Sequence, residues 1–342
     1  MPASDVGYMT QGISSFKNRI LILGAAGFIG TNLTLRLLKK GYNLLLFDRP
    51  GARWAIPVQA ALQKGQAEAV TGSFSGVEDR NGWQEMLPLL SCVDTVYHLV
   101  STTCPTNSNR DVAEEMEENL VATIRFLDAC VQAGVKKVVF LSSGGTVYGR
   151  EHTGICREEE EAFPITSYGV QKLAIEKMLY LYHEMHGLDY RIVRLSNPYG
   201  PYQRPNGVQG VVTTFTYRAL QGLPIQVYGD GSVVRDYIYI ADAVDGIIKI
   251  AEGCGSHRLY NLGRGEGHTV LDVIGAITEV LGRSPETVFL PGRPVDVPVN
   301  VLDVSRYEKD FGPASRLTLE QGIGRLVEFY RENSEGDCRQ IP

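Results

Sequence analysis

Three glycines spaced three apart, Gly24, Gly27 and Gly30, sit in the run Ile22-Leu23-Gly24-Ala25-Ala26-Gly27-Phe28-Ile29-Gly30. Before them comes the short apolar run Arg19–Leu23, RILIL; after them Phe28–Lys40 places apolar residues at three-four spacing. That is a strand turning sharply into a helix. Each glycine has a physical task. Gly24 permits the tight turn, Gly27 lets backbone N–H groups approach a pyrophosphate, and Gly30 lets the helix pack closely on the sheet. The helix start adds unpaired donors and a positive dipole end, which suit phosphate. The same alternation continues along the chain. Leu44–Phe47, Thr95–Leu99, Lys137–Leu141 and Tyr190–Leu195 are strand-like, while Val112–Ala133 and the segment from Ser167 have helical spacing. Strands separated by helices imply an α/β fold with a doubly wound parallel sheet covered on both faces.

After Asn197 the texture changes. Pro198, Pro201, Pro205, Gly207 and Gly210 interrupt the pattern, and short strands at Ile225–Tyr228 and Asp236–Ile240 mix with helices at Val211–Gln221, Ala241–Ala251, Leu271–Leu281 and Leu319–Arg331. The expected organisation is a flexible leader over 1–18, a dinucleotide-binding domain over 19–197, and a smaller α/β substrate-binding lobe over 198–342, with segments free to cross between them. At 342 residues the chain is long enough to bury such a core. A net charge of -6 offers no basic field for nucleic acid. No apolar run is long enough to span a bilayer, and Met1–Asn18 lacks the pattern of a secretory signal. Cysteines 92, 104, 130, 156, 254 and 338 show neither CxxC nor metal-ligand spacing. Free thiols in a reducing compartment, the cytoplasm, are expected, with no metal.

Asp48 ends the strand after the glycine loop, about twenty residues on, where a carboxylate accepts from ribose hydroxyls and repels a 2′-phosphate. The cofactor expected is therefore NAD rather than NADP, although Arg49 beside it softens the preference. Farther along, Tyr168 and Lys172 are four apart on a helix, hence on one face. An ammonium nearby favours a phenolate, and a phenolate over a substrate hydroxyl takes its proton as hydride leaves the carbon. Tyr-x-x-x-Lys alone is weak evidence. Its company strengthens it: Ser142–Gly149 follows one strand and Arg194–Pro201 ends another, both at the carboxyl edge where ligands of such sheets bind.

With these motifs in order, the chain resembles the extended short-chain dehydrogenases/reductases of the NAD-dependent epimerase/dehydratase family, and within it the UDP-sugar 4-epimerases. The resemblance runs from about Arg19 to Tyr330. It covers the glycine loop, Asp48, His98-Leu99, Asn119, Ser142–Gly149, Tyr168/Lys172, Asn197-Pro198, Gly229–Asp236 and Arg293–Asp296. It implies a Rossmann-type domain holding NAD through Gly24, Gly27, Phe28, Ile29, Gly30, Asp48, Arg49, Leu99, Val100, Ser101, Asn119, Ser142, Tyr168, Lys172, Leu195 and Pro198. It implies a nucleoside diphosphate sugar as substrate. Arg235 and Arg293 would grip the diphosphate, as guanidinium forks suit phosphate oxygens. Asn197 would donate to a phosphate oxygen, Val212 would line the nucleotide site, Tyr228 would lie against the base, and Asp296 near the ribose.

In the 4-epimerase reaction that the resemblance implies, Tyr168 removes the proton of the sugar 4-hydroxyl while hydride passes from C4 to NAD. The keto sugar turns, and hydride returns to its other face. Dehydratases of the family carry an Asp-Glu pair where this chain has Gly145 and Thr146, and decarboxylases usually a Glu at Thr146; epimerisation requires neither. One position departs from the pattern. Gly144 stands where the family has a Ser or Thr that shuttles the proton, so Ser143, Thr146 or a water in the vacated space is expected to serve. Asn300 falls where the family gates the sugar pocket, and its modest size suggests room for a 2-acetamido sugar. Two further functions remain open: an NDP-sugar 4-ketoreductase, which would consume reduced cofactor stoichiometrically, and a non-catalytic NAD-binding sensor or scaffold, which would survive loss of Tyr168. Helices Val112–Ala133 and Ser167–Met185 resemble the pair through which family members form homodimers.

Overall fold

A computed structural model describes residues 19–75, 82–150, 154–205, 210–292, 297–313 and 317–334. The first half runs β1 (Arg19–Leu23), α1 (Phe28–Lys39), β2 (Asn43–Asp48), α2 (Ile56–Gln63), β3 (Ala67–Thr71), the short α3 (Gly82–Glu85) and α4 (Leu87–Leu90), β4 (Val93–His98), α5 (Val112–Met116), α6 (Ala122–Ala133), β5 (Lys137–Ser143), β6 (Ile155–Cys156), α7 (Ser167–His186) and β7 (Asp189–Leu195). The second runs β8 (Asn197–Tyr199), α8 (Val211–Leu220), β9 (Ile225–Tyr228), β10 (Val234–Tyr239), α9 (Ile240–Glu252), β11 (Leu259–Leu262), β12 (Gly267–Thr269), α10 (Val270–Leu281), β13 (Thr287–Leu290), β14 (Val299–Leu302), α11 (Ser305–Phe311) and α12 (Leu319–Ser334).

Seven strands form one sheet in the order β3-β2-β1-β4-β5-β7-β11, and every neighbouring pair is parallel. Its central strands are continuous apolar runs because both faces are covered. Ile20 and Ile22 enter one core with Leu33 and Leu37 of α1 and Val244 and Ile247 of α9. Leu21 and Leu23 enter the other with Phe126 of α6 and Ile175 and Leu179 of α7. Strand order reverses beside β1, between β2 and β4, and a cleft opens at such a switch point above the carboxyl ends. A smaller mixed sheet, β12-β10-β14-β6 with β8 beside β10, carries α8, α10 and α12 through a third core around Val212, Tyr237 and Ile277.

Two strands lie in the sheet formed mainly by the other half of the chain. Strand β6 from the first half pairs with β14, and β11 from the second returns to pair with β7. The segment expected as one helix over Val112–Ala133 contains a π turn at Glu117–Val121 between α5 and α6. The expected strand Asp236–Ile240 begins two residues earlier, and Ile240 opens α9. Among the described residues no helix is long and apolar enough to cross a membrane.

Candidate active site

The glycine loop leads from the end of β1 into α1 and lies against the end of β2. Gly24 adopts a φ of 82°, and its N–H and that of Ala25 donate to the Phe47 carbonyl at 2.9 and 3.2 Å. A Cβ on Gly30 would stand 2.1 Å from the Gly24 carbonyl oxygen and 2.7 Å from Ala25 Cα, so helix and turn could not approach as they do. Gly27 caps α1 without a side-chain bond, leaving first-turn amides beside half-buried Phe28 and Ile29 for an anion. Asp48 Oδ2 accepts from Ala26 N at 2.8 Å and Oδ1 from exposed Arg49 N at 2.9 Å, fixing the carboxylate against the loop. Across the switch point, Leu99 N donates to Leu23 O at 3.1 Å, and Ser101 Oγ to Thr103 O at 2.8 Å. This cradle of bare backbone with a carboxylate at its edge fits a dinucleotide diphosphate and ribose.

Asn119, expected at the cofactor, sits in the π turn and is buried. Its Oδ1 accepts from Thr102 N at 2.9 Å, and its Nδ2 donates to Thr102 Oγ1 and Glu115 O at 2.8 and 2.9 Å. Its amide shapes the loop after Val100. Ser142 likewise turns away from the loop: its hydroxyl donates to Glu176 at 2.5 Å.

Thr166 caps α7, accepting from Gly169 N at 3.2 Å, and Ser167 Oγ donates to Glu115 of α5. These bonds fix the first turn of α7, which carries half-buried Tyr168. The Ser143 side chain at the end of β5 lies near the Tyr168 phenol. Lys172, one turn on, is buried; its Nζ donates to Leu141 O at 2.9 Å and lies 5.6 Å from the Tyr168 ring centroid. Burial pushes the Tyr168 phenol up to about 12, with the nearby Ser143 side chain acting the other way. Burial draws Lys172 down to about 8, with Glu176 acting the other way. The expectation that Lys172 lowers the phenol's pKa is thus not met in this state. The ammonium faces ring carbons and a carbonyl, and desolvation of Tyr168 outweighs it.

Gly144 changes a second expectation. A Cβ there would lie 2.5 Å from Leu302 Cδ1, so the space is filled by a leucine rather than left for water. Gly144 N donates to the carbonyl of buried Leu195 at 2.8 Å, and its carbonyl accepts from Asn300 Nδ2 at 3.1 Å. Asn300 is buried, its Nδ2 bracing the Gly144 turn and its Oδ1 making no hydrogen bond within the protein. Thr146 Oγ1 is buried and makes no hydrogen bond within the protein. Of the two hydroxyls expected to serve the phenol, Ser143 is the one whose proximity lowers the phenol's pKa.

The small sheet brings a row of polar residues to the same place. Register sets Asn197 beside Tyr237, and Arg235 between Asn300 and His268. Paired residues share a face, and residues two apart do too, so all five project from one side. Arg235 is anchored by Nη1 to the Val234 and Val297 carbonyls at 2.8 and 2.7 Å. Asn197 Nδ2 donates one hydrogen to Asp236 O at 2.9 Å, and its Oδ1 stands beside Gly145. Half-buried Pro198 follows, its carbonyl accepting from Gln203 Nε2 at 3.4 Å. Val212 is fully buried in the α8 core, so only its backbone, one residue into a helix that Gly210 leaves without a side-chain cap, is disposed to meet a nucleotide. Tyr228 is exposed at the end of β9. Arg293 and Asp296 lie outside the described residues.

Sequence reasoning passed over Glu115 and Glu176. Glu176 had a signal, since it follows Lys172 by the same four residues that separate Lys172 from Tyr168. Glu115 had none, because its partners Asn109, Ser167 and Gln171 meet it only in three dimensions.

Comparison with known proteins agrees with this geometry. The family model described as "NAD dependent epimerase/dehydratase family" matches residues 20–263. A UDP-glucose 4-epimerase of Mycolicibacterium smegmatis is 32% identical over 317 residues, covering 93% of this chain and 100% of the relative. A dTDP-4-dehydro-6-deoxyglucose reductase of Escherichia coli is 31% identical over 320 residues, covering 92% and 98%. Among solved structures, the UDP-glucose 4-epimerase of Thermotoga maritima with UDP-glucose superposes with a TM-score of 0.84 at 31% identity, covering 92% of this chain and 99% of its own. With glycine cradle, Tyr–Lys pair and sheet order all in agreement, the chain belongs to the NAD-dependent epimerase/dehydratase family and its cofactor is NAD.

Proposed function

We propose that the protein is a nucleotide-sugar 4-epimerase that inverts C4 of a UDP-hexose or UDP-N-acetylhexosamine through a transient 4-keto sugar. The observation that carries this reading is the Tyr168 phenol beside the Ser143 side chain, with Lys172 one turn behind and no carboxylic acid at Gly145 or Thr146. Elimination of water needs an acid and a base beside the phenol; moving one proton at one hydroxyl needs the phenol alone.

NAD, held by the Gly24–Gly30 loop with Asp48 at the ribose, supplies the hydride acceptor and donor. Tyr168 takes the proton of the 4-hydroxyl and gives it back, with Ser143 as the hydroxyl that orients it. Arg235 and Arg293 hold the diphosphate, together with the second amide hydrogen of Asn197 and the first-turn backbone at Val212. Tyr228 lies against the base and Asp296 near its ribose. At the sugar end, Gly144 and Gly145 offer no side-chain polar groups, so a keto sugar meets few fixed partners there and is free to turn.

The test is incubation with UDP-, dTDP- and GDP-sugars followed by mass spectrometry and NMR. Epimerisation predicts unchanged mass, inverted C4 and no net use of reduced cofactor, with Tyr168→Phe slowing turnover about 10²-fold or more. Loss of water would overturn it in favour of a dehydratase. A 4-ketoreductase is the second reading, favoured by the 31% identity to the dTDP-4-dehydro-6-deoxyglucose reductase; it predicts stoichiometric consumption of reduced cofactor with a 4-keto substrate. Comparing UDP-glucose with UDP-N-acetylglucosamine settles the sugar, and strong preference for the plain hexose would remove the acetamido variant. The assembly proposed is a homodimer through α6 and α7, the latter presenting Val170, Leu181 and Met185 outward.

A further inference from the structure

Directly beneath the polar row of the small sheet lies a buried carboxylate that the proposed reaction does not use. Asp236 stands between Arg235 and Tyr237 on β10, so its side chain leaves by the opposite face. It is fully buried. Its Oδ1 accepts from Arg264 N at 2.8 Å and its Oδ2 from Gly265 N at 3.1 Å, with Leu302 N at a longer 3.5 Å. Arg264 and Gly265 belong to the turn between β11 and β12, and Leu302 ends β14. The Asp236 carbonyl accepts from Asn197 Nδ2 of β8 at 2.9 Å. One residue thus reaches β8, β14 and the turn into β12, the neighbours that carry the rest of the row.

The contacts of this carboxylate fix main chain. A buried charge is costly unless it is paired or well hydrogen-bonded, and among the described residues no lysine or arginine pairs with Asp236. The Arg264 side chain turns away to Glu266 and the Leu317 carbonyl. Backbone amides therefore hold the charge, and the charge in return fixes where those backbones run. The fit is close: a Cβ on Gly263 would stand 2.3 Å from Asp236 Oδ2. Leu302 in turn fills the space beside Gly144, and Asn300, two residues earlier, holds the Gly144 carbonyl. The carboxylate so connects the row with the turn that follows Ser143.

We propose that Asp236 is a positioning residue for the nucleotide-sugar, its carboxylate pinning the β11–β12 turn and β14 to β10 so that Asn197, Arg235 and Asn300 stand together at the substrate. This rests on the reading of that row as the site of the diphosphate and sugar. Asp236 acts through main chain, from the face away from the ligand. An amide in its place turns one acceptor into a donor and sets it against a backbone N–H, so the turn or β14 has to move off. The cofactor cradle, built on β1, β2 and α1 with Asp48 as its own carboxylate, is held by separate bonds.

The test measures two affinities on each full-length protein: UDP-glucose by isothermal titration calorimetry and reduced cofactor by fluorescence. Asp236→Asn keeps the shape and removes the charge. Its Kd for UDP-glucose is expected to rise about tenfold or more, the equivalent of one charge-assisted hydrogen bond, while its affinity for the cofactor stays that of wild type. A role in folding alone would move both affinities together or neither. Gly263→Ala guards against misfolding of the first variant. It leaves the carboxylate charged, forces the turn away from it, and is expected to show the same one-sided loss. Wild-type affinity for UDP-glucose in the folded variants, or equal loss of both ligands, overturns the proposal. A wild-type protein that binds no UDP-glucose overturns the nucleotide-sugar reading itself, so the two failures are told apart in one series.

Discussion

A Cβ placed on Gly144 would lie 2.5 and 2.9 Å from the two methyls of Leu302 and 3.1 Å from the Arg194 carbonyl, all inside the separation at which buried atoms attract. Leu302 is fully buried with Val147, Tyr148 and Cys156, so it has little freedom to retreat. Gly144→Ser should therefore cost about 1–3 kcal/mol by overpacking, and it should restore no proton relay. Leu302→Ala should cost about 2–5 kcal/mol as a cavity. Combining them should cost less than the sum, because the serine fills part of the cavity. Urea unfolding of the four proteins checks this, and plain additivity would show that the two sites do not touch. The missing hydroxyl was legible in the sequence; what fills its place was not, since the contact joins residues 144 and 302. Gly30 is a harder case. Its neighbours are backbone atoms that cannot rotate aside, so Gly30→Ala should abolish NAD binding, measurable by fluorescence titration with the reduced cofactor.

At the scale of elements, the helical periodicity of 112–133 was readable, but its π turn was not. One wider hydrogen-bonded turn hardly disturbs an apolar stripe, yet it carries Asn119 onto the loop after β4. Glu115, one turn earlier, ties that loop to α7. It accepts from Ser167 Oγ, Arg110 N at 3.2 Å and Asn109 N at 3.4 Å. Burial pushes its carboxyl up, but the Ser167 hydroxyl and the Arg110, Asn109 and Asp111 amides outweigh that and hold it below its ordinary 4.5. A carboxylate with a lowered folded pKa stabilises fully above its unfolded value, and that contribution fades as pH falls through the folded one. Glu115→Gln should thus cost on the order of 2 kcal/mol at pH 7, with the gap to wild type closing below about pH 4.5. Denaturant midpoints at pH 7 and pH 4 test it; a gap independent of pH would show that charge is not the cause.

For the whole molecule, the parallel sheet and its cofactor edge followed from alternating patterns and the glycine loop, whereas the way the halves interlock did not. β6 is two residues long and β11 four, too short to declare partners, and the alignment of Asn197, Arg235 and Asn300 exists only once three strands are in register. The site is therefore a property of the interlocked molecule, and α7 links it to the outer surface. The inner face of α7 carries Tyr168, Lys172 and Glu176, and the outer face carries Val170 and Leu181 with Met185 beyond. Val170 and Leu181 are eleven residues apart, three helical turns along one stripe. If that stripe packs against its copy, Leu181→Arg sets two like charges in an apolar seam and should yield monomers in sedimentation velocity. The same variant should retain the fold, because Leu181 is exposed within one chain. Ser167 ties the first turn of α7 to Glu115 and Thr166 caps it, so the monomer should still bind NAD, with turnover falling only as far as α7 loosens. A Leu181→Arg protein that sediments as wild type does would place the dimer seam, or its absence, elsewhere.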